Sequence, residues 1–288
     1  MVLQYPAKAV SVTAGVSLKP TTLGLPVSGA QLLGGVSPTF FDTDALALFD
    51  AMVPAPNAAR KTLINTLILA LKSAGIWTRL DVLYVTAAHA AQPATRNWKA
   101  PTGTFNLAAT GTIPFVVDRG FTGDGVTGYL ETGWSPIGGV QFQQDSAHIS
   151  GWSLTAGAAS DTERLIGNTS AVAPETVLRP RGVGDLFGIV VNDATVSTTI
   201  PSVNRDGFFV GNRSGAGARQ GYRNGVLLGS DTQASTGRGV STMTFDRDDT
   251  VFSTIQVAQG SAGSSLSAGL VTSYYNALQS YMTAVGAA

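Results

Sequence analysis

The residues best suited to ligand binding are concentrated at positions 211–225, GNRSGAGARQGYRNG. Sugar sites combine polar side chains for the hydroxyls with an aromatic platform for the apolar face of the sugar. We therefore predict a carbohydrate site here that also uses Trp134, with Trp98 and Trp152 as further aromatic candidates. The alternative is that most of these residues belong to a core or a hairpin. The residues assigned from the segment are Asn212, Arg213, Arg219, Tyr222 and Asn224.

A second set of candidates consists of aspartates in turn-rich segments. Carboxylate oxygens grouped in loops are ligands that Ca²⁺ prefers. The segment DRDD lacks the glycine and the terminal glutamate of an EF-hand loop, so it matches no known calcium loop. We predict either a Ca²⁺ site or plain solvated turns, and no other cofactor. The residues in question are Asp118, Asp124, Asp246, Asp248 and Asp249.

Gly123, Gly125 and Gly128 have the spacing GxGxxG, which can cradle a phosphate. A dinucleotide-binding loop needs a helix directly after the glycines. The following residues, YLETGW, indicate another strand instead. We therefore interpret the glycines as turn residues that allow positive φ and close passage of strands.

Residues for acid–base or nucleophilic catalysis are scarce. The chain has no cysteine, only two histidines, His89 and His148, and no GxSxG motif. Glycosidases need two carboxyl groups at a defined separation, and the three glutamates show no pairing at strand spacing. We predict that the protein is not an enzyme, with a polysaccharide depolymerase using paired aspartates as the less favoured alternative.

The overall composition argues against nucleic-acid and membrane partners. The formal net charge is zero and only 12% of the residues are charged, so no electrostatic attraction to polyanions is expected. The longest apolar run, 63–71, is far shorter than the ~20 residues that span a bilayer. The start, MVLQYPAKAV, shows no secretory signal pattern, so we expect synthesis in the cytoplasm without one.

The predicted organisation has three parts. Residues 1–41 alternate apolar and small polar side chains, as in AVSVTAGVSLKP, and predict an extended arm that pairs outside itself or forms an edge strand. Residues 42–97 change to a helical period. Residues 98–288 contain many short alternating runs between turns, followed by a helix, and predict a β-sandwich or jelly roll.

The helical part, 42–97, predicts three helices. Asp42 and Asn57 are N-cap candidates and Gly75 is a stop signal. The first helix should bury Leu46, Phe49 and Val53. The second should bury Leu63, Ile64, Leu67, Ile68 and Leu71. The third should bury Ile76, Leu80, Tyr84 and Ala87.

Two turns and one helix give the sandwich its clearest local signals. Asn224-Gly225 between apolar flanks predicts a tight hairpin, and DRDD predicts a second one. The closing helix should dock on the sandwich through one stripe. That stripe is Val271, Tyr274, Leu278, Tyr281 and Val285.

The segment DRGFTGDGVTGYLETGW resembles the first strand of concanavalin-like, laminin-G-like jelly rolls in structural proteins of tailed bacteriophages. The block from AARKTLINTL to ATRNW resembles the helical segment before such jelly rolls. The tail SAGSSLSAGLVTSYYNALQSYMTAVGA is similar to their closing helix. The resemblance covers residues 42–288 and implies a concanavalin-like jelly roll after an extended arm and a small helical module.

The resemblance also implies a function. It points to a virion protein, such as a tail fibre, head spike or minor capsid component, that contacts other virion proteins through the arm and the helical module. It implies a homo-oligomer, a trimer by analogy with fibres, and a sandwich exposed to host surface polysaccharide. A purely structural capsid or tail subunit is the alternative. Glucanases of the wider superfamily carry an ExDxxE pattern, which is missing here, so their activity is not implied.

Overall fold

The structure, a computed structural model, describes residues 40–160, 162–168 and 174–288. The arm predicted for 1–41 therefore lies outside the described residues, apart from Phe40 and Phe41. The described part begins with two helices, α1 (Thr43–Ala51) and α2 (Ala58–Ser73). Within the described ranges, no helix is long and apolar enough to cross a membrane.

The predicted helix ends are confirmed. The Asp42 side chain accepts the backbone N–H of Asp44 at 2.9 Å, and the Asn57 side chain accepts that of Arg60 at 2.9 Å. Each satisfies an N–H that has no partner within its helix. Gly75 follows α2 with φ +70°, the left-handed geometry that glycine adopts at helix ends.

Helix α2 buries the face predicted for it, whereas helix α1 buries a partly different one. The α2 stripe is confirmed, with Leu63 only partly buried. For α1 the prediction is wrong at Leu46 and Val53, which are 45% and 68% exposed. The buried face of α1 is formed by Ala45, Leu48 and Phe49, and Lys72 of α2 pairs with Asp42 and Asp44 at the start of α1.

The predicted third helix is wrong. A short 3₁₀ turn, Trp77–Arg79, leads into strand β1 (Leu80–Val85), which pairs with the last strand of the chain. Five of the six residues of β1 are buried. A short apolar run that is buried on both faces has no alternation to reveal it as a strand, so its spacing mimicked a helix. A one-turn helix, α3 (Ala91–Ala94), follows.

The rest of the described chain is β-structure closed by helix α4 (Ala268–Val285). The strands are β2 (Ala108–Thr110), β3 (Phe115–Val116), β4 (Gly120–Thr122), β5 (Tyr129–Glu131), β6 (Ala147–Ser153), β7 (Ile166–Asn168), β8 (Glu175–Gly182), β9 (Leu186–Asp193), β10 (Gly207–Gly215), β11 (Ala218–Arg223), β12 (Val226–Asp231), β13 (Met243–Phe245), β14 (Arg247–Asp248), β15 (Val251–Phe252) and β16 (Gln256–Gly263).

These strands form two facing antiparallel sheets and a small hairpin. The large sheet has the order β12-β11-β10-β6-β16-β4-β3, with β1 also paired to β16. The small sheet has the order β2-β5-β13-β7-β8-β9, and β14 pairs with β15. The mainly β jelly-roll sandwich with a preceding helical module and a closing helix, predicted from the sequence, is confirmed.

The large sheet is covered on both faces. Successive side chains of a strand point to opposite faces, and Phe208 and Phe209 of β10 illustrate the result. Phe208 packs against Tyr274 of α4 at 5.2 Å between ring centroids, whereas Phe209 packs against Phe187 of the small sheet at 5.2 Å. Both phenylalanines are fully buried, so each adds about 1.5–3 kcal/mol of apolar burial.

Helix α4 docks as predicted. Val271, Tyr274, Leu278 and Tyr281 of the stripe are buried, and Val285 is partly buried. The Tyr281 hydroxyl donates to the Ala87 carbonyl and accepts from Arg60 of α2, both at 3.1 Å. The helix is thereby fixed to the sheet and to the helical module at once.

A buried polar chain lies between α4 and the large sheet. His148 Nδ1 donates to the Ser264 carbonyl at 2.5 Å, and Ser150 and Ser261 are joined through their hydroxyls at 2.7 Å. Gln259 donates to the hydroxyls of Ser150 and Tyr274 at 3.3 and 3.2 Å. Burial lowers the pKa of His148 to about 4, so this histidine is neutral at pH 7.

Candidate functional site

The predicted sugar-binding segment is not an open loop. Residues 211–225 form most of strands β10 and β11 and the tight turn between them. Arg213 is fully buried and Arg219 is 2% exposed. The tight turn at Asn224-Gly225, with φ values of +50° and +79°, joins β11 to β12 and confirms the predicted hairpin.

The two arginines belong to an internal ion network. Arg213 Nη2 lies 2.6 Å from Asp193 Oδ2, and Arg219 Nη1 lies 3.0 Å from the same oxygen. Arg219 Nη2 also lies 2.7 Å from Asp231 Oδ2. Buried charges are tolerated when they are paired and hydrogen-bonded in this way. The prediction that Arg213 and Arg219 face a glycan is therefore wrong.

Three other residues of the predicted sugar site also lie inside the protein. Tyr222 is 2% exposed and lies in the core beneath the helices. Trp134 is 2% exposed and packs edge-on against Phe142, with ring centroids 5.6 Å apart. Asn212 is fully buried and accepts the backbone N–H of Leu266 at 2.8 Å. Of the six predicted residues, only Asn224 lines a cavity without being buried.

The five aspartates predicted for Ca²⁺ do not share one site. Asp118 pairs with Arg60 at 2.6 Å, and Asp248 pairs with Arg164 at 3.2 Å. Asp249 occupies the β14–β15 turn with φ +53°. A hairpin therefore forms here, but its first strand lies within DRDD, and the preceding strand β13 pairs with β5 and β7 instead. In the described ranges, no three His, Asp or Glu side chains are grouped closely enough to hold a metal ion. The structure thus does not assemble the predicted site.

Asp124 organises the glycine-rich turn instead. Its carboxylate accepts the backbone N–H groups of Val126, Thr127 and Gly128 at 2.7–2.9 Å, and these bonds, together with the Thr127 hydroxyl, lower its pKa. A Cβ at Gly123 would lie 2.3 Å from the Ser253 carbonyl oxygen. Strand β5 follows directly. The interpretation of this turn as structural is confirmed.

Asp246 has no cationic partner among the described residues. It is fully buried with φ +62°, and the backbone N–H of Gly123 lowers its pKa by less than burial raises it. Burial and the nearby Glu163 raise the pKa of Asp246 well above its usual range. Burial therefore favours the neutral form of this side chain over the ionised form.

We expect Asp246→Asn to raise the free energy of unfolding at pH 7. Above the unfolded pKa of about 3.9, the unfolded chain ionises while the folded chain keeps its proton, so stability falls as the pH rises. Asparagine does not titrate, and it tolerates positive φ. Denaturant unfolding at pH 5 and pH 7 measures both effects.

Asp124→Ala is the matched control and should destabilise the protein, because it removes three backbone hydrogen bonds. A loss of stability in Asp246→Asn, with an unchanged pH dependence, would contradict the assignment of a neutral Asp246.

A polar depression of about 200 Å³ is lined by Arg219. The donors of this arginine are occupied by Asp193, Asp231 and the Thr195 carbonyl.

Two larger depressions also have the polarity of a ligand site. The first, the Glu163 cleft, has a volume of about 490 Å³ and lies between the glycine-rich turn and the β14–β15 hairpin. Its carboxylate is already occupied: Glu163 accepts from the Thr254 N–H and hydroxyl at 3.1 and 3.0 Å and pairs with Arg205 at 3.3 Å. The cleft therefore offers a ligand few unused charged groups.

The second depression, the Trp152 cavity, has a volume of about 300 Å³. It lies where the end of β6, the start of β10 and the β11–β12 turn meet the last turns of α4. Besides Ser153, Leu154 and the last two residues, Ala287 and Ala288, its wall contains, as side-chain groups, one guanidinium, one carboxylate, two amides and an indole. These belong to Arg119, Asp206, Asn224, Gln279 and Trp152.

Each polar group of the Trp152 cavity is held by one protein contact. Arg119 Nε donates to Gln256 at 3.1 Å, and Asp206 Oδ1 lies 3.4 Å from Arg223. Asn224 Oδ1 accepts the Phe208 N–H at 2.8 Å. Gln279 Nε2 donates to Thr283 at 3.0 Å.

These contacts orient the groups and leave other donors and acceptors of the same side chains unused. In the described part of the chain, Arg119 Nη1 and Nη2, Asp206 Oδ2, Asn224 Nδ2 and Gln279 Oε1 have no protein hydrogen-bond partner. The cavity therefore presents both donors and acceptors, which is the combination that several hydroxyl groups of one small ligand require.

The aromatic element of the cavity is rigid. Trp152 is stacked on Tyr275, with ring centroids 5.9 Å apart and an interplanar angle of 16°, and also contacts Phe208 at 5.9 Å. Because Trp152 is only 3% exposed, it gives the cavity an apolar edge and not an open stacking platform.

Sequence reasoning missed Arg119, Asp206 and Gln279. They come from a turn, a strand start and a helix that are distant in sequence, and none belongs to a local motif. The only signals were Asn224, at the predicted hairpin, and Trp152, one of the candidate aromatics.

Comparison with known proteins gives structural similarity only. No family model matches the chain, and no curated protein is similar to it in sequence. A structure of botulinum neurotoxin type C concerned with its interaction with two ganglioside molecules is similar at 13% identity and a TM-score of 0.50. The similar region covers 72% of this chain and 53% of the neurotoxin chain.

Two further structures are similar at lower scores. Domain 4 of an extracellular GH43 arabinanase from Geobacillus stearothermophilus, in complex with arabinotriose, has 14% identity and a TM-score of 0.48, covering 68% of this chain and 98% of that one. Trypanosoma rangeli sialidase has 11% identity and a TM-score of 0.49, covering 77% of this chain and 40% of the sialidase. At these identities, the neurotoxin match supports the β-sandwich fold alone.

Proposed function

We propose that this chain is a carbohydrate-binding β-sandwich whose ligand site is the Trp152 cavity. The observation that carries the proposal is the set of unused donors and acceptors on Arg119, Asp206, Asn224 and Gln279 around one small cavity. Sugars present several hydroxyls and an apolar face in a small volume, and a cavity of about 300 Å³ lies at the lower end of the range of ligand sites.

The arabinanase domain was solved with arabinotriose, and the neurotoxin structure concerns gangliosides. Because such distant similarity does not transfer a ligand, the proposal for this chain depends on its own cavity.

The sandwich serves, in this proposal, as the attachment part of a phage or phage-like particle: a tail fibre, a head spike or a minor capsid component. The sequence resemblance over residues 42–288 supports this role. The chain then acts as a homo-oligomer, attaches to other virion proteins through residues 1–41 and the helical module, and contacts a polysaccharide of the host surface.

Binding without hydrolysis is part of the proposal. Asp206 carries the one side-chain carboxylate among the described residues that line the cavity, whereas glycoside hydrolysis requires two carboxyl groups flanking the bond.

A glycan array probed with the whole chain tests the proposal. We expect binding to a subset of sugars, and Asp206→Ala and Gln279→Ala should each weaken it about tenfold, the effect of losing roughly 1.4 kcal/mol of hydrogen bonding. Trp152 is unsuitable for this test, since its replacement would disturb the core.

Two control variants locate the site. Phe252→Ala alters the Glu163 cleft, and Val140→Ala changes a residue that is 77% exposed away from both depressions. Both should bind like the unchanged protein. Loss of binding in Phe252→Ala alone would place the site in the Glu163 cleft, and absence of binding to any sugar would refute the proposal.

A purely structural subunit is the second candidate. It is favoured by strand β12 at the edge of the large sheet, where Val226 and Leu227 are 65% and 49% exposed. Exposed apolar edge strands are ready contacts for another chain. Sugar binding that depends on Asp206 and Gln279 separates the first candidate from this one.

A further inference from the structure

We infer that the ligand of the Trp152 cavity is a sugar residue that carries a carboxylate, and that Arg119 pairs with that carboxylate. This inference rests on the proposed function and specifies the chemical class of the sugar.

Arg119 has no carboxylate side chain as a partner in the described part of the chain. The arginine at the border of the cavity, Arg223, lies 3.4 Å from Asp206. A carboxylate on the ligand would give Arg119 the counter-ion that the described side chains do not supply.

The free edge of Arg119 suits a carboxylate better than a hydroxyl. Its Nε is occupied by the Gln256 side chain, so Nη1 and Nη2 remain to donate. Two parallel N–H groups of one guanidinium match the two oxygens of a carboxylate. Since Arg119 lines the cavity, this pairing takes place at the ligand and not at the outer surface.

The backbone that carries Arg119 is held in place. The Arg119 N–H donates to the Val116 carbonyl at 3.0 Å, which closes the turn between β3 and β4. The next residue, Gly120, has φ +90°, and a Cβ there would lie 2.0 Å from the Val257 carbonyl oxygen. The strand therefore passes too close to β16 for any other residue, and Arg119 is positioned before a ligand arrives, which lowers the entropic cost of binding.

The remaining groups suit the rest of an acidic sugar. Asp206 Oδ2 and Gln279 Oε1 can accept hydroxyl protons, and Asn224 Nδ2 can donate to a hydroxyl oxygen. Because Asp206 is itself anionic, a ligand with a second negative charge near it would be repelled. The cavity therefore selects one carboxylate per sugar residue, as in a uronic acid or a nine-carbon sialic acid.

Calorimetry with the whole chain and matched pairs of sugars tests the inference. The methyl glycosides of glucuronic acid and of glucose differ only in the carboxylate. The methyl glycoside of N-acetylneuraminic acid, with its carboxylate free, provides the nine-carbon case. We expect at least one of the two acidic sugars to bind about tenfold or more tightly than the neutral glucoside, and the preferred one identifies the source. The preference should shrink as salt is added, because screening weakens charge pairing.

Arg119→Gln should reduce the affinity for the preferred acidic sugar to that for the neutral one, whereas Arg119→Lys, which keeps the charge but loses the planar fork, should retain part of the preference. Lys61→Gln removes one positive charge on α2 away from the cavity and should retain all of it. Equal binding of acidic and neutral sugars, or an acidic preference that survives Arg119→Gln, overturns the inference while leaving the proposed function intact. No binding to any sugar overturns both.

Discussion

Asp193→Asn is expected to lower the free energy of unfolding by about 3–5 kcal/mol, the usual effect of removing one partner from a buried ion pair. Asp193 is fully buried and is the shared counter-ion of Arg213 and Arg219, at 2.6 and 3.0 Å. Without its charge, Arg213 would remain buried with only backbone carbonyls as partners. Chemical denaturation at neutral pH measures the loss.

Asp185→Asn is the matched control. Asp185 pairs with Arg181 at 2.7 Å, but its side chain is 48% exposed, and solvated pairs contribute about 0–1 kcal/mol. Asparagine also tolerates the φ of +58° at this position. If Asp193→Asn cost no more than Asp185→Asn, the buried network would not be balancing its charges as described. Sugar binding by the folded Asp193→Asn protein should be unchanged, because the network lies away from the Trp152 cavity.

Acidification from pH 6.5 to pH 4 should weaken the protein through His148, by on the order of 3 kcal/mol. The folded pKa of about 4 lies below the ordinary value of 6.5. Between these values the unfolded chain binds a proton and the folded chain does not, so this contribution to stability is complete above pH 6.5, falls with the pH, and levels off below pH 4.

The difference between the unchanged protein and His148→Gln isolates this effect. Glutamine cannot take up the proton, so the two stability curves should converge as the pH falls from 6.5 to 4. Subtracting the curves removes the opposite contribution of Asp246, which is common to both proteins. Parallel curves across this range would show that His148 has the same pKa in the folded and unfolded states, which would contradict the lowered pKa.

The sequence was informative wherever the determinant of structure is local. Asp42 and Asn57 cap helices through their own neighbours, the Asn224-Gly225 pair sets a turn by its backbone preferences, and the stripe of α4 follows from the helical period. Such features depend on a few adjacent residues, and sequence patterns reveal them.

Features that depend on distant residues were missed. Arg213 and Arg219 look like surface residues in a glycine-rich stretch, and only the position of Asp193, on the facing sheet, makes them internal. The Trp152 cavity joins Arg119, Asp206 and Gln279 from separate elements, so no window of sequence contains it. Strand β1 was misassigned as a helix because its pairing partner, β16, is also distant in sequence.

The pairing of β1 with β16 joins the first strand of the described chain to the last, Leu80 to Gly263. During synthesis on a ribosome, β1 stays unpaired until the rest of the sandwich has been made, because β16 is the last strand to be synthesised. The large sheet can therefore close only when translation is nearly complete. Loops this long are slow to close, and the waiting strand exposes apolar surface in the meantime. A fragment starting at residue 98 would lack β1 altogether and leave that stretch of β16 without its neighbour. Because the sheet needs strands from both ends of the sandwich, we expect the yield of folded protein to depend strongly on growth temperature and on the presence of both ends.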